Sequence, residues 1–413
     1  MLIVLDHRAL RTLPQAQQAA ALAEPASSKA APPAPAARPR RAVVIGNFDG
    51  VHRGHQELFS QARALLQRST GDGADPTSPG QVVALTFWPH PTRVLAKAAA
   101  PPLINSRQRR RELLSECGVD VLIEQPFDLH FAALSPTQFV SDLLRDSLQA
   151  DVVCVGYDFN FGKGRSGNAE TLRALLAEVG IQALVMPAFS VPTAAQADPG
   201  QASAASAGAT TICSSSGVRK AVQEGQIAQA ARLLGRAVEI EGVVEHGAAR
   251  GRQLGFPTAN LRLDAELTPA VGIYAAWAEI LGPPPAAASL TEVIHPLAYR
   301  PVLARHPAAV SVGYNATFTA RPTPSEAASA LATGEPAAAG SGGGHAATWP
   351  PLSIEAHLIQ PAGAGWLDLY DQTLRVTLVA KLRDEQRFPS VDALRAQIAA
   401  DVAETKRLLG VTG

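Results

Sequence analysis

Two histidines three positions apart, His52 and His55, close the run Gly46-Asn47-Phe48-Asp49-Gly50-Val51-His52-Arg53-Gly54-His55, which follows a short apolar segment. Where a helix begins, two imidazoles and the free backbone N–H groups can converge on a phosphate. The glycines allow tight turns and close approach of backbone to ligand. Metal binding and a pair of surface histidines are the other readings. No carboxylate or cysteine cluster stands beside them to complete a metal site. A second anion site lies far downstream in Ser214-Ser215-Ser216-Gly217-Val218-Arg219, where hydroxyls at a helix start precede an arginine one turn in. Ser216 taken alone reads equally well as an N-cap. Trp88-Pro89-His90-Pro91 and the loop from Gly156 to Arg165 each follow an apolar run. In the latter, Asp158 offers a hydrogen bond, and Phe159 and Phe161 are either stacking surfaces for a planar ring or core.

The second half carries a different set. Gly251 and Gly255, with Arg250 and Arg252, form a Gly-rich loop able to hold polyphosphate through N–H groups and guanidinium forks. If the following segment is extended, Thr258 and Asn260 share one face with Ala259 opposite. A hydroxyl and an amide oxygen are hard donors suited to Mg²⁺. Glu355 alternates with the apolar Ile354, Ala356 and Leu358, and on pattern alone it is an ordinary solvated strand residue.

The elements that position these groups fall into two classes. From Arg41 to Val191 short apolar strands (Ala42–Gly46, Val82–Phe87, Val119–Ile123, Val152–Gly156, Ala183–Met186) alternate with helices, including Thr137–Leu148 and Ala169–Val179. That rhythm predicts a parallel sheet covered on both faces, with ligands at the carboxyl ends of its strands. After about Ala237 the strands Val238–Val244, Gly272–Ile280, Ala309–Val312, Ile354–Leu358 and Leu374–Leu382 follow with no helix between them. This predicts an antiparallel sheet or small barrel. A terminal helix over Val391–Leu409 has Leu394, Ile398, Val402 and Leu408/Leu409 on one stripe.

The 413 residues carry 36 Lys+Arg against 36 Asp+Glu. A balanced sum provides no global positive field for nucleic acid or an anionic membrane, while leaving room for local basic sites. Three separate cysteines, Cys117, Cys154 and Cys213, have neither metal nor redox spacing. With no secretory signal and no apolar run of spanning length, a cytoplasmic protein is expected. Stretches rich in Ala, Pro, Gly and Ser cannot bury enough apolar surface to order themselves. The expected plan is a poorly ordered extension over 1–40, one domain over 41–236 with an insertion at 192–210, and a second over 237–413 with an insertion at 320–349.

The His-x-Gly-His run is a signature of nucleotidyltransferases, and Ser-Ser-Ser-x-Val-Arg is their second motif. Together with FWPHP, FDLHFAALSPTQFV, VGYDFNFGKGRSG, GVVEHGAARGRQLGFPTANL, VGIYAA, IEAHLI and KLRDEQRF in this order, the chain resembles the prokaryotic bifunctional riboflavin kinase/FMN adenylyltransferases. The resemblance runs from about Arg41 to Leu409. It implies a Rossmann-like nucleotidyltransferase domain followed by a small antiparallel β-barrel with a terminal helix. It implies that the first domain makes FAD and pyrophosphate from FMN and ATP, and that the second makes FMN and ADP from riboflavin and ATP, both with Mg²⁺. By the same likeness Gly46, Phe48, Asp49, Gly50, His52, His55, Ser215, Ser216 and Arg219 surround the nucleotide of the first site. Asp158 and its loop, with Phe161, lie near flavin there. Gly251, Gly255, Thr258 and Asn260 would hold Mg-ATP in the second site, Glu355 would be its base, and Arg383, Glu385 and Phe388 would form a flavin-side flap. Trp88, Ala316 and Asp371 depart from the family pattern. An adenylyltransferase with a degenerate kinase module, and a flavin-binding protein without turnover, are the competing readings. Small molecules are the expected partners, and self-association is left open.

Overall fold

A computed structural model of the chain describes residues 1–7, 39–68, 80–96, 100–193, 209–247, 250–263, 267–284, 294–314, 352–361 and 367–411. The apolar run Leu2–Val4 forms strand β1, followed by β2 (Arg41–Ile45), β3 (Gln81–Trp88), β4 (Val121–Pro126), β5 (Val152–Gly156), the short pair β6 (Asn160–Phe161) and β7 (Gly167–Asn168), and β8 (Gln182–Met186). The main sheet has the order β14-β1-β4-β3-β2-β5-β8, where β14 is Ile294–Pro296 from the second half of the chain. Within it β1, β4, β3, β2, β5 and β8 run parallel. The chain builds outward from β2 through β3 to β4, then returns to the other side of β2 for β5. The resulting crevice lies at the carboxyl ends of β2 and β5, where Gly46 and Gly156 stand.

Helix α1 (Arg53–Arg68) follows β2, and its buried Leu58, Phe59, Ala62 and Leu66 recur at helical spacing. Then come α2 (Pro91–Leu95), α3 (Arg107–Glu116), α4 (Ala169–Glu178), α5 (Ser215–Gln223) and α6 (Ile227–Leu234). The helix expected over Thr137–Leu148 is one α turn, Pro136–Gln138, running into a π-helical segment, Phe139–Ser147.

The second module holds β11 (Val238–Glu245), α7 (Arg250–Leu254), β12 (Ala259–Leu263), β13 (Gly272–Leu281), β14 (Ile294–Pro296), β15 (Val302–Tyr314), β16 (Leu352–Leu358), β17 (Thr373–Arg383) and α8 (Val391–Leu409). Six of these strands close a barrel in the order β11-β12-β16-β15-β13-β17. Its interior is filled by inward residues such as Val238, Ile240, Tyr274, Val310, Ala356 and Val376. Their neighbours along each strand, Glu239 and Glu241 among them, therefore face outward. Helix α8 packs on β13, β15 and β17.

Several expectations change here. Residues 2–4 are not part of a loose extension: Leu2–Val4 pairs with Val121–Ile123 and is fully buried in the sheet. Residues 8–38 of the 1–40 segment lie outside the described residues. A helix, α7, does intervene among the barrel strands. Strand β14 leaves the barrel altogether and pairs antiparallel with β1, at the edge of the first module's sheet. The ends of the 192–210 segment are ordered into a ribbon, β9 (Ser190–Pro192) with β10 (Thr210–Ile212), while 194–208 lie outside the described residues. The 320–349 segment also lies outside them, as does Ala316. On α8, Asp401 and Thr405 are the most buried positions, whereas Leu408 is exposed.

Candidate active sites of the two modules

The loop after β2 is held in an uncommon conformation. Phe48 and Val51 have φ of 49° and 41°, and Gly50 has 82°. Non-glycine residues there cost about 1–3 kcal/mol each and persist only where surroundings over-determine them. Val51 is fixed from several sides. Its N–H donates to the Phe48 carbonyl at 3.3 Å, and its carbonyl accepts from Gln56 Nε2 at 2.9 Å and Arg236 Nη1 at 3.2 Å. A Cβ on Gly50 would come within 2.8 Å of the Ile104 side chain.

This turn delivers His52 and His55 to the first turn of α1 with their rings stacked, centroids 3.7 Å apart at 21°. Gly54 makes that possible: a Cβ there would meet the His52 ring at 3.2 Å. Phe48 backs His55 edge-on at 5.3 Å and is itself fully buried against Phe59. Phe48 therefore supports the histidine rather than presenting its ring to a nucleotide. Both Nδ1 atoms are buried without a hydrogen-bond partner. Burial pushes the His52 pKa down to about 4, with Arg236 and Arg219 adding to the fall. Burial, then His52, holds His55 well below the usual imidazole range. The pair is thus neutral at physiological pH, with polar atoms unsatisfied by protein.

Asp49 joins the two motifs. Its carboxylate accepts from the Ile104 N–H at 2.9 Å and from Arg219 Nη2 at 2.5 Å. Its carbonyl accepts from Ser215 Oγ at 2.8 Å. Arg219 also donates from Nε to the Pro102 carbonyl at 2.7 Å. The N-cap of α5 is Ser214, which accepts from the Gly217 N–H at 3.1 Å. Ser216, for which a cap was one of the two readings, is exposed on the same turn.

Two cationic groups at this site, Arg110 and Arg236, were missed from sequence, and His90 was read only as part of the Trp88–Pro91 run after a strand. His90 caps α2 through Nδ1. Burial lowers its pKa, Asp49 pulls the other way, and Arg219, Arg110 and Arg93 add to the fall. Arg110 lies 3% exposed beneath the loop, with Nη1 donating to the Asn47 carbonyl at 3.4 Å, while its Nε and Nη2 make no hydrogen bond. Arg236 is the second. The run of arginines at 107–111 was a usable signal, since a helix placing three of them against one buried carboxylate, Glu124, is no ordinary solvated face. Trp88 stacks on this group, with Arg107 at 4.9 Å and Arg110 at 5.5 Å.

Of the expected flavin contacts here, Asp158 is exposed at the end of β5. Phe161 is committed to the core, 6% exposed, against Phe139 at 5.2 Å and Phe159 at 5.5 Å. The choice left open between core and ligand resolves to core for that ring.

In the barrel, β12 pairs with both β11 and β16, setting Asn260 opposite Glu245 and Glu355. Ala259 and Ala356 point into the core, so Asn260 and Glu355 share the outer face. Thr258 Oγ1 donates to Glu355 Oε2 at 3.0 Å. Two glycines leave the space for this cluster. A Cβ on Gly247 would fall 2.0 Å from Asn260 Nδ2, and one on Gly251 would fall 2.4 Å from the Phe256 carbonyl and 3.2 Å from Thr258 Oγ1. Gly255 has φ of 87°. A cleft beside Thr258 is lined by Val244, Ala356, Leu358, Leu369 and Tyr370. Asp371 adopts φ of 62°, so the residue that departs from the family pattern occupies a position suited to glycine. Arg383 and Phe388 do not reach the cluster in this structure. Arg383 forks onto Asp401 of α8 at 2.7–3.2 Å, 5.8 Å from the Phe388 ring.

Among the described residues, no group of three or more His, Cys, Asp or Glu is placed to hold a metal. No helix among them is long and apolar enough to cross a membrane.

Comparison with known proteins gives a consistent picture. A family model described as FAD synthetase matches residues 34–195, and one described as riboflavin kinase matches 234–409. A bifunctional riboflavin kinase/FMN adenylyltransferase of Escherichia coli is 33% identical over 370 residues, covering 90% of this chain and 93% of the relative. That of Pseudomonas fluorescens is 32% identical, covering 89% and 92%. Among solved structures, a macrolide-efflux protein from Streptococcus pneumoniae aligns with a TM-score of 0.61 at 25% identity, covering 90% of this chain and 95% of that one.

Proposed function

Since the chain belongs to the bifunctional riboflavin kinase/FMN adenylyltransferase family, we propose that its barrel phosphorylates riboflavin and its parallel-sheet module adenylylates the resulting FMN. The observation that carries the adenylylation site is the joining of the two motifs through Asp49, which sets Arg219 beside the stacked, neutral His52 and His55.

In the first module an FMN phosphate oxygen attacks the α-phosphorus of ATP. A P–O bond forms to that oxygen and the bond to the β-phosphate breaks, releasing pyrophosphate. No covalent enzyme intermediate is required, so the site works by positioning and charge neutralisation. The unsatisfied imidazoles hydrogen-bond the phosphoryl oxygens, and Arg219, fixed by Asp49 and Pro102, supplies positive charge. His90 and Arg110 border the same space. Asp158, exposed at the rim of the sheet crevice, meets the flavin end in this reading.

In the second module Glu355 accepts the proton of the riboflavin 5′-hydroxyl as that oxygen bonds to the γ-phosphorus of ATP and ADP leaves. The loop through Gly251 and Gly255 approaches the polyphosphate. Thr258 and Asn260 suit Mg²⁺: the threonine directs its proton at Glu355, which leaves its lone pairs free, and both oxygens are hard donors. The cation would neutralise phosphate charge. Arg383, Glu385 and Phe388 form a flavin-side flap in this reading, with Arg383 leaving Asp401 when flavin binds. Three free thiols fit a reducing cytoplasm. Partners in this reading are small molecules, with neither nucleic acid nor membrane involved.

Incubation with riboflavin, ATP and Mg²⁺, followed by chromatography, tests the whole scheme. FMN and then FAD should accumulate without added FMN. FAD formed from supplied FMN with riboflavin untouched would leave an adenylyltransferase alone, and binding without turnover would leave a flavin carrier.

A further inference from the structure

We propose that the kinase barrel positions the adenylylation loop, with Arg236 as the clamp and the Ser106–Glu241 contact as a second anchor. The inference rests on the assignment of the His52–His55 loop as the adenylylation site.

Arg236 sits in the joint between the two modules, just after the left-handed C-cap Gly235 of α6 and just before β11. Its Nη2 donates to the Gly50 carbonyl at 2.8 Å and to Asn105 Oδ1 at 3.2 Å. Its Nη1 donates to the Val51 carbonyl at 3.2 Å. These are the carbonyls of the strained turn that delivers the histidines. Behind that turn the surface opens into a cleft lined by Val51, Gln56, Phe59, Glu116, Cys117 and Arg236. Val51 is 1% exposed beside this cleft, and hydrogen bonds from Arg236 and Gln56 fix the carbonyls of the turn.

The barrel fixes Arg236 and its neighbours in turn. Glu239 of β11 lies 3.8 Å from Arg236 Nε and accepts two bonds from Arg109 of α3, at 2.8 and 3.1 Å. Glu241, on the same outer face of β11, accepts from Ser106 Oγ at 2.6 Å. It is pinned by Arg300 at 2.6 Å and Arg375 at 2.8 Å. Arg375 also bridges to Glu112 of α3 at 2.8 Å. Ser106 is the N-cap of α3, and two residues earlier the Ile104 N–H donates to Asp49. The segment 104–106 thus touches the loop at one end and the barrel at the other. A shift of β11 reaches the histidine turn by two routes, through Arg236 and through Ile104. Arg236, Ser106 and Glu241 touch no reacting atom; they are positioning residues.

The test uses the full-length chain with R236M, R236K and S106A, and the two reactions are assayed separately. R236M should lower kcat/KM for FMN adenylylation about 100-fold, the penalty of a misplaced site. KM for ATP should rise about tenfold with it. Loss of active protein lowers kcat without moving KM, so this rise separates positioning from damage. Riboflavin phosphorylation in the same molecules should stay within about twofold. R236K keeps the charge but lacks the planar fork whose two nitrogens reach the two carbonyls separately, and it should fall between wild type and R236M. S106A removes one hydroxyl and keeps the fold testable if R236M is poorly soluble; it should show the same selective loss, weaker. Wild-type adenylylation in R236M and S106A, or equal loss of both activities in S106A, overturns the proposal. H55A is the control for the underlying assignment: normal FAD formation in H55A would sink that reading, whereas an inactive H55A beside a fully active S106A and R236M would sink only the clamp.

Discussion

Asp49 and Arg219, 170 positions apart, form a 2.5 Å ion pair inside the first module. Asp49 is 2% exposed and Arg219 is largely buried. A buried pair is strongly destabilising to break from one side, by about 3–5 kcal/mol, because the remaining charge is stranded. Asp49→Asn should therefore lower both stability and FAD formation. It keeps the bond from Ile104 but weakens the hold on Arg219. Thermal unfolding and separate assays of the two reactions check this, with riboflavin phosphorylation expected to persist below the new Tm.

His55→Ala should reduce FMN adenylylation by at least about 100-fold, since it removes a preorganised donor aimed at developing phosphoryl charge. Conversion of riboflavin to FMN should be unchanged. Accumulated FMN with no FAD is the chromatographic signature.

Glu355→Gln should produce the opposite split. Removing a general base costs about 10²–10⁴-fold, so FMN formation should nearly stop while FMN supplied from outside is still converted to FAD. The amide retains a partner for Thr258, which limits any loss of fold. An unaltered rate of riboflavin phosphorylation would remove Glu355 from the mechanism.

The His52 ring gives a pH signature. Its folded pKa, about 4, lies below the ordinary value of 6.5. Between those values the unfolded chain binds the proton and the folded one does not. Stability from this group is therefore full above pH 6.5 and falls as pH drops toward 4, by about 3 kcal/mol in total. Denaturant unfolding across this range should show the decline, and His52→Gln should flatten part of it. An unchanged slope in the variant would mean that His52 is protonated in the native state.

Gly247→Ala tests the barrel cluster by steric means. The added methyl would lie 2.0 Å from Asn260 Nδ2, so the amide must swing away. Riboflavin phosphorylation should fall about tenfold or more, with KM for Mg-ATP rising and FAD formation from FMN unaffected.

Much of this was legible in sequence because the signals were dense. Short runs rich in apolar and β-branched residues, such as VVALTF, read as strands buried on both faces, and the HxGH run carries its own turn chemistry. What stayed hidden had little local pattern. Strand β1 is three residues, LIV, that become a strand only because β4 and β14 lie on either side. Glu355 is a lone carboxylate on a regular strand, and nothing nearby in sequence shows that Thr258 will hydrogen-bond it from 97 positions away. Phe161 illustrates a symmetrical ambiguity: an aromatic at a strand end serves core or ligand, and only the packing of Phe139 decides. The balanced charge total concealed a concentration of arginines and carboxylates between the modules, where Arg109, Arg300 and Arg375 meet Glu112, Glu239 and Glu241.

The excursion of β14 bears on modularity. Residues 294–296 belong to the kinase half by chain order and to the adenylyltransferase half by hydrogen bonding. A chain ending near residue 236 would therefore lack the partner that seals β1, and would present an exposed apolar edge to other copies. The two halves of this polypeptide are interlaced rather than strung together. Swapping either one for a counterpart from another organism would have to carry β14 and its β1 edge along as a matched set.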